Sequence, residues 1–133
     1  MDRKLKILIV DDNPDDCKIL RRYLARNNGG APEIDDAGTA ALGFLRFTES
    51  SPDCVLLDYN LPDMNGLELL EALRSRTGRS SLPVVMMTGL ESGNIANQAL
   101  SLGAQDFLVK GLLTPAELNR VVENAVKRAE TPN

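Results

Sequence analysis

Three apolar runs in this chain stop abruptly at polar residues. Ile7-Leu8-Ile9-Val10 ends at Asp11-Asp12, Val55-Leu56-Leu57 ends at Asp58, and Val84-Val85-Met86-Met87 ends at Thr88. A strand without polar alternation is buried on both faces, which calls for a parallel sheet covered by helices on each side. Strand-length runs recur at Leu5 to Val10, Glu33 to Ala37 (weakly), Cys54 to Leu57, Val84 to Met87 and Phe107 to Val109, and segments of helical periodicity separate them. The order is strand then helix, five times. With right-handed crossovers, such units wind into a doubly wound α/β fold with sheet order 2-1-3-4-5, placing strands one and three side by side where the winding reverses. Sites form there, beyond the carboxyl ends of the strands. Asp11, Asp12 and Asp58 are therefore expected to meet, with Thr88 and Lys110 nearby.

The helices carry their own punctuation. Asn13 is a cap with Pro14 at the first helical position, and Asp15 and Asp16 suit the positive end of the helix dipole, a structural role. On this helix Leu20, Tyr23 and Leu24 face inward, while Lys18, Arg21, Arg22 and Arg26 form a basic stripe. Helix two is expected to bury Ala41, Phe44, Leu45 and Thr48; helix three, opening at Gly66, buries Leu67, Leu70 and Leu73. Ile95, Ala99 and Leu102 share a face of helix four, which ends at Gly103. Thr114-Pro115-Ala116-Glu117 reads as a capping box opening a fifth helix with the stripe Leu118, Val121, Val122, Ala125 and Val126. The domain is expected over residues 1–128, with 129–133 as a tail or the start of a linker.

Composition narrows the function. At 133 residues the chain suits one domain with a single core. A net charge of -4 and 4% aromatic residues argue against direct nucleic-acid binding. The apolar run near the N-terminus is too short for a signal peptide or a membrane span, so the cytoplasm is the expected location. Cys17 and Cys54 lack metal-ligand spacing and read as small buried hydrophobes. The chain contains no histidine, which removes imidazole acid–base chemistry and leaves only a hard cation held by oxygen.

Three carboxylates in one crevice repel: two unit charges about 4 Å apart interact by roughly 4 kcal/mol at an effective dielectric near 20. A divalent cation relieves this, and an oxygen-only donor set favours Mg²⁺, with Mn²⁺ as a substitute. Metal and ammonium together favour phosphoryl transfer, which needs mainly placement and charge neutralisation. Asp11 and Asp12 are consecutive and suit a metal. Asp58 stands alone at the end of the central strand and is the better nucleophile, forming an acyl phosphate. The Thr88 hydroxyl can donate to a phosphoryl oxygen.

Together, Ile7-Leu8-Ile9-Val10-Asp11-Asp12-Asn13, Val55-Leu56-Leu57-Asp58, Leu61-Pro62-Asp63-Met64-Asn65-Gly66-Leu67-Glu68-Leu69-Leu70, Met87-Thr88-Gly89 and Gly103-Ala104-Gln105-Asp106-Phe107-Leu108-Val109-Lys110 resemble the receiver domains of two-component response regulators over nearly the whole chain. The resemblance implies a flavodoxin-like fold in which Asp58 accepts a phosphoryl group from a histidine kinase or histidine phosphotransfer protein. It implies Mg²⁺ bound through Asp11 or Asp12, Asp58 and the backbone carbonyl of Asn60, with Thr88 turning toward the phosphoryl group. Phe107 holds the family's aromatic switch position, and plain core packing is its alternative.

Two departures from the family pattern carry consequences. Lys110 is followed by Gly111 where the family commonly has proline, so a trans bond or a mobile loop is expected there. Leu90 stands where polar residues are frequent and is expected, with Asn60, to modulate hydrolysis by shielding the acyl phosphate. The basic stripe of helix one reads either as solvated charge or as a docking face for the donor. Helices four and five are a candidate homodimer surface, and the downstream effector is not legible. A phosphorylation-independent pseudo-receiver is the alternative reading, although none of the acidic pair, acceptor, Thr or Lys is eroded.

Overall fold

The computed structural model describes residues 4–26, 30–89 and 93–130. Five parallel strands, β1 (Lys6–Val10), β2 (Glu33–Ala37), β3 (Cys54–Asp58), β4 (Val84–Thr88) and β5 (Asp106–Val109), form one sheet in the order β2-β1-β3-β4-β5. The helices α1 (Pro14–Leu24), α2 (Ala40–Ser50), α3 (Gly66–Thr77), α4 (Gly93–Ser101) and α5 (Pro115–Glu130) alternate with them, and a 3₁₀ turn over Lys110–Leu112 follows β5. The expected fold class and strand order are both present.

The sheet divides the core in two. Ile7, Ile9, Leu56, Val85, Met87 and Leu108 pack with α1 and α5, whereas Leu8, Val10, Val55, Leu57, Val84 and Met86 pack with the helices of the opposite face. Every residue of β3 and β4 is buried, which is why these strands read as unbroken apolar runs. β2 is an edge strand and is buried fully only at Ala37. Two of its three acids are paired, Asp35 with Arg46 at 3.0 Å and Asp36 with Arg21 at 3.1 Å. Charged residues on an edge discourage pairing with another chain, and they also weaken the strand's signal in the sequence.

The helix termini follow the expected chemistry. The Asn13 side chain accepts from the backbone N–H groups of Asp15 and Asp16 at 2.9 and 3.3 Å. Asn65 and Glu68 form a reciprocal capping box on α3. After α4, Gly103 has φ of 104°, and a Cβ there would lie 2.6 Å from the Ser80 carbonyl oxygen, so only glycine fits. Thr114 Oγ1 accepts from the Glu117 N–H at 3.1 Å, and Leu118, Val121, Val122, Ala125 and Val126 are all buried. α5 continues to Glu130, two residues beyond Arg128 where the apolar periodicity stops, and Arg79 donates to the Ala129 carbonyl at 3.5 Å.

Helix two departs from expectation. It buries Ala40, Gly43 and Phe47, while Ala41 lies outside and Leu45 is 49% exposed. The cause is Gly43, which sits against Val10 so tightly that a Cβ would come within 2.9 Å of it. The helix turns this small residue to the sheet, which leaves Ala41 and Leu45 outside while Phe47 is buried and the expected Phe44 packs against the core from a half-buried position. Another departure lies on α1, where Arg21 is not free in water: it pairs with Asp36 and donates to the Ile34 carbonyl at 3.4 Å, tying α1 to β2.

Candidate functional site

β1 and β3 are neighbours, with Val10 level with Leu57, so Asp11 and Asp58 emerge side by side at the carboxyl end of the sheet. Both are withdrawn from water, the Asp11 side chain being 0% and the Asp58 side chain 7% exposed. Asp12 completes a cluster in which one carboxylate oxygen from each of the three acids lies within 4.8 Å of the others, and Asp12 is its exposed member.

Lys110 closes this crevice from β5. Its Nζ donates to Asp11 Oδ2 at 2.7 Å and stands 3.3 Å from Asp58 Oδ2. A third partner, Asp16 Oδ2, lies at 2.8 Å. Asp16 therefore belongs to the site, contrary to the purely structural role expected for it, whereas Asp15 stays exposed on the first turn of α1. The dipole already accounted for two acids after a cap, so nothing in the local pattern distinguished the one that turns inward.

Charge and burial oppose each other here. Burial, reinforced by Asp11, pushes the Asp58 carboxyl up to about 6, although the Lys110 ammonium and the Asn60 N–H pull it down. Burial works against the Lys110 ammonium too, but its bonds to Asp11 and Asp16 prevail and hold its pKa above the ordinary lysine range. Cys17, whose Sγ lies 3.7 Å from the Asp11 carbonyl oxygen, has its thiol pushed up to about 11 by burial and the Asp11 charge. Burial raises Cys54 to about 12. Both thiols are buried, as expected of small hydrophobes.

Backbone contacts set the remaining residues. Asp11 Oδ1 accepts from the Asn13 N–H at 3.0 Å, and Asp58 Oδ1 accepts from the Asn60 N–H at 3.3 Å. Thr88 is 3% exposed, and its register opposite Val109 places it beside Lys110 at the same end of the sheet. Phe107 is half-buried and packs against the core on the α2–α4 face. No peptide bond among the described residues is cis, and Lys110 runs directly into its 3₁₀ turn. Leu90 lies outside the described residues.

One further residue matters through its smallness. The Gly66 N–H donates to the Tyr59 carbonyl at 2.7 Å, and a Cβ at Gly66 would lie 2.7 Å from the Asp58 carbonyl oxygen. Glycine lets the start of α3 close directly onto the end of β3.

The sheet order, the acid cluster and the lysine all belong to a known pattern. A family model described as the response regulator receiver domain matches residues 7–123. The chain belongs to this family. It is 33% identical over 125 residues to the phosphate regulon transcriptional regulatory protein PhoB of Rhizobium meliloti, covering 94% of this chain and 53% of that protein. It is likewise 33% identical to the regulatory protein LuxO of Vibrio cholerae, covering 91% of this chain and 25% of that protein. The chain thus spans about half, or less, of these relatives. Among solved structures, a response regulator from Chloroflexus aurantiacus superposes with a TM-score of 0.84 at 26% identity, covering 95% of this chain and 100% of that one. A receiver domain described as CheY-like, from Methanospirillum hungatei, gives 0.80 at 28% identity, covering 96% and 98%. This receiver is thus a two-component signalling module. Among the described residues no helix is long and apolar enough to cross a membrane.

Proposed function

We propose that this receiver is the phosphoacceptor of a phosphorelay, with Asp58 taking a phosphoryl group from a histidine kinase or histidine phosphotransfer protein. The observation that carries this reading is the position of Asp58: buried at the end of the central strand, 3.3 Å from the Lys110 ammonium and clustered with Asp11 and Asp12.

In the transfer, an oxygen of the ionised Asp58 carboxylate forms the new P–O bond as the P–N bond of phosphohistidine breaks, and the donor imidazole leaves as the neutral base after taking up a proton. Lys110 can exchange part of its contact with Asp58 for a phosphoryl oxygen while Asp11 and Asp16 hold its nitrogen in place. Thr88 supplies a hydroxyl donor from β4, and the Asn60 N–H orients the carboxylate. The donor set is entirely oxygen and crowded with negative charge, which fits Mg²⁺ or Mn²⁺. Asp11, Asp12, Asp58 and the Asn60 carbonyl would hold the ion. When bound, it supplies positive charge against the phosphoryl oxygens.

Thr88 and the half-buried Phe107 carry the change outward toward an effector, while Asn60 and Leu90 set the lifetime of the phosphorylated state. The cytoplasm is the compartment that fits two free thiols. Lys18 and Arg22 remain exposed on α1, and Arg26 in the turn just past its C-terminal end, for a donor protein, whereas Arg21 is engaged with β2. The α4 and α5 surface remains the candidate for a homodimer.

Incubation with Mg²⁺ and acetyl phosphate, followed by intact-mass measurement, tests the reading. A stoichiometric phosphoryl adduct on the wild type and none on Asp58→Asn is expected. No adduct on either protein would favour the pseudo-receiver. Reversing Arg22 and Arg26 to Glu should slow transfer from the donor protein and leave transfer from acetyl phosphate unchanged; equal slowing from both donors would remove the docking role.

A further inference from the structure

The loop between β3 and α3 is held at two places. Its base is closed by the Gly66 N–H to Tyr59 carbonyl bond and by an antiparallel bridge between Asn60 and Asn65. Its tip is held by Asp63, which has a different partner: Oδ1 accepts from the Ala40 N–H at 2.8 Å and Oδ2 from the Ala41 N–H at 2.9 Å. These are the first two residues of α2, and the third, Leu42, donates to Thr39 Oγ1 at 3.1 Å.

α2, like α4, carries no acid in its own first turn, whereas α1 has Asp15 and Asp16, α3 has Glu68 and α5 has Glu117. Its positive end is neutralised instead by a carboxylate more than twenty residues away in sequence. Both oxygens are engaged on adjacent N–H groups, so the pair fixes the orientation of Asp63 as well as its position. The two bonds also hold the Asp63 carboxyl below the usual carboxylate range. α2 itself is fixed to the sheet by Ala40, Gly43 and Phe47, making its N-terminus a rigid anchor.

We infer that Asp63 is a positioning residue for the phosphoacceptor: by bonding the start of α2 it braces the loop that carries Asn60, and so holds the Asp58 carboxylate in its reactive orientation. The inference rests on Asp58 being the acceptor for its catalytic consequence, but the brace itself has a separate readout. A purely structural cap would stabilise α2 without concerning the loop. Thr39 provides that comparison, because it caps the same helix turn from the adjoining residue and makes no bond to the loop.

Amide hydrogen exchange and acetyl phosphate kinetics on the full chain, for wild type, Asp63→Ala, Asp63→Asn and Thr39→Ala, separate the two roles. Asp63→Ala should speed exchange at Ala40, Ala41 and Gly66 by about tenfold, the scale of one lost cap, and slow phosphorylation severalfold. Asp63→Asn, keeping one acceptor, should fall between it and wild type. Thr39→Ala should speed exchange at Leu42 while leaving Gly66 exchange and phosphorylation at wild-type values. Unchanged exchange at Gly66 in Asp63→Ala, or equal slowing of phosphorylation by Thr39→Ala and Asp63→Ala, would overturn the positioning role. If wild type takes no phosphoryl group, the acceptor reading falls, and exchange at Gly66 still decides whether the brace exists.

Discussion

Replacing Lys110 with Met keeps the length and apolar stem of the side chain and deletes its charge. Three contacts disappear, to Asp11 at 2.7 Å, Asp16 at 2.8 Å and Asp58 at 3.3 Å. Asp16, with 32% of its side chain exposed, recovers hydration, so the cost falls on the buried Asp11 and Asp58. Breaking a buried ion pair by removing one partner costs about 3–5 kcal/mol. Asp58 limits the loss, because its carboxyl already titrates near 6 and rises further once the ammonium is gone, letting it take a proton rather than remain an unpaired charge. The expected destabilisation in EDTA near neutral pH is therefore about 3 kcal/mol. Urea unfolding reads it directly: with a slope of about 2 kcal/mol/M the midpoint should fall by roughly 1.5 M. Mg²⁺ should then restore more stability to Lys110→Met than it adds to wild type, because the acid cluster has lost its internal counter-charge. A midpoint in EDTA equal to that of wild type would refute the premise that the ammonium offsets buried carboxylate charge.

Two other substitutions test the same site from different sides. Asp58 has a folded pKa of about 6 against about 3.9 for an unfolded aspartate. A raised carboxyl favours folding while it is protonated, and that contribution is lost as pH rises through the folded value. Asp58→Asn in EDTA should therefore be more stable than wild type by about 2–3 kcal/mol at pH 8. The advantage should shrink as pH falls toward 4, as urea midpoints across that range will show. Gly66→Ala puts a methyl 2.7 Å from the Asp58 carbonyl oxygen and 3.0 Å from both Met86 Sδ and Tyr59 Cα. Because two of these neighbours are backbone, a loss of about 2 kcal/mol in urea unfolding is expected, with slower phosphorylation from acetyl phosphate.

The sequence was most legible where burial is complete. β1, β3 and β4 are covered on both faces, so their apolar runs fixed the sheet type, and the residues ending those runs fixed the site. β2 was faint because an edge strand carries charges that pair outward to Arg21 and Arg46. On α2 the periodicity points correctly to Phe44 but misplaces Ala41 and Leu45, because Gly43 is what lets the helix approach Val10. Asp16 and Asp63 escaped for a shared reason. Each acid has an ordinary local explanation, a helix dipole for one and an exposed turn for the other, and its actual partner, Lys110 or the α2 N-terminus, is distant in sequence.

The most direct measurement is borohydride trapping of the Mg²⁺ and acetyl phosphate reaction, followed by peptide mapping. Reduction of an acyl phosphate converts aspartate to homoserine and so marks the residue that carried the group. Homoserine at position 58 and nowhere else is the predicted result. Homoserine at Asp11 or Asp12 in place of Asp58, or at no aspartate while phosphate stays bound elsewhere, would contradict the account.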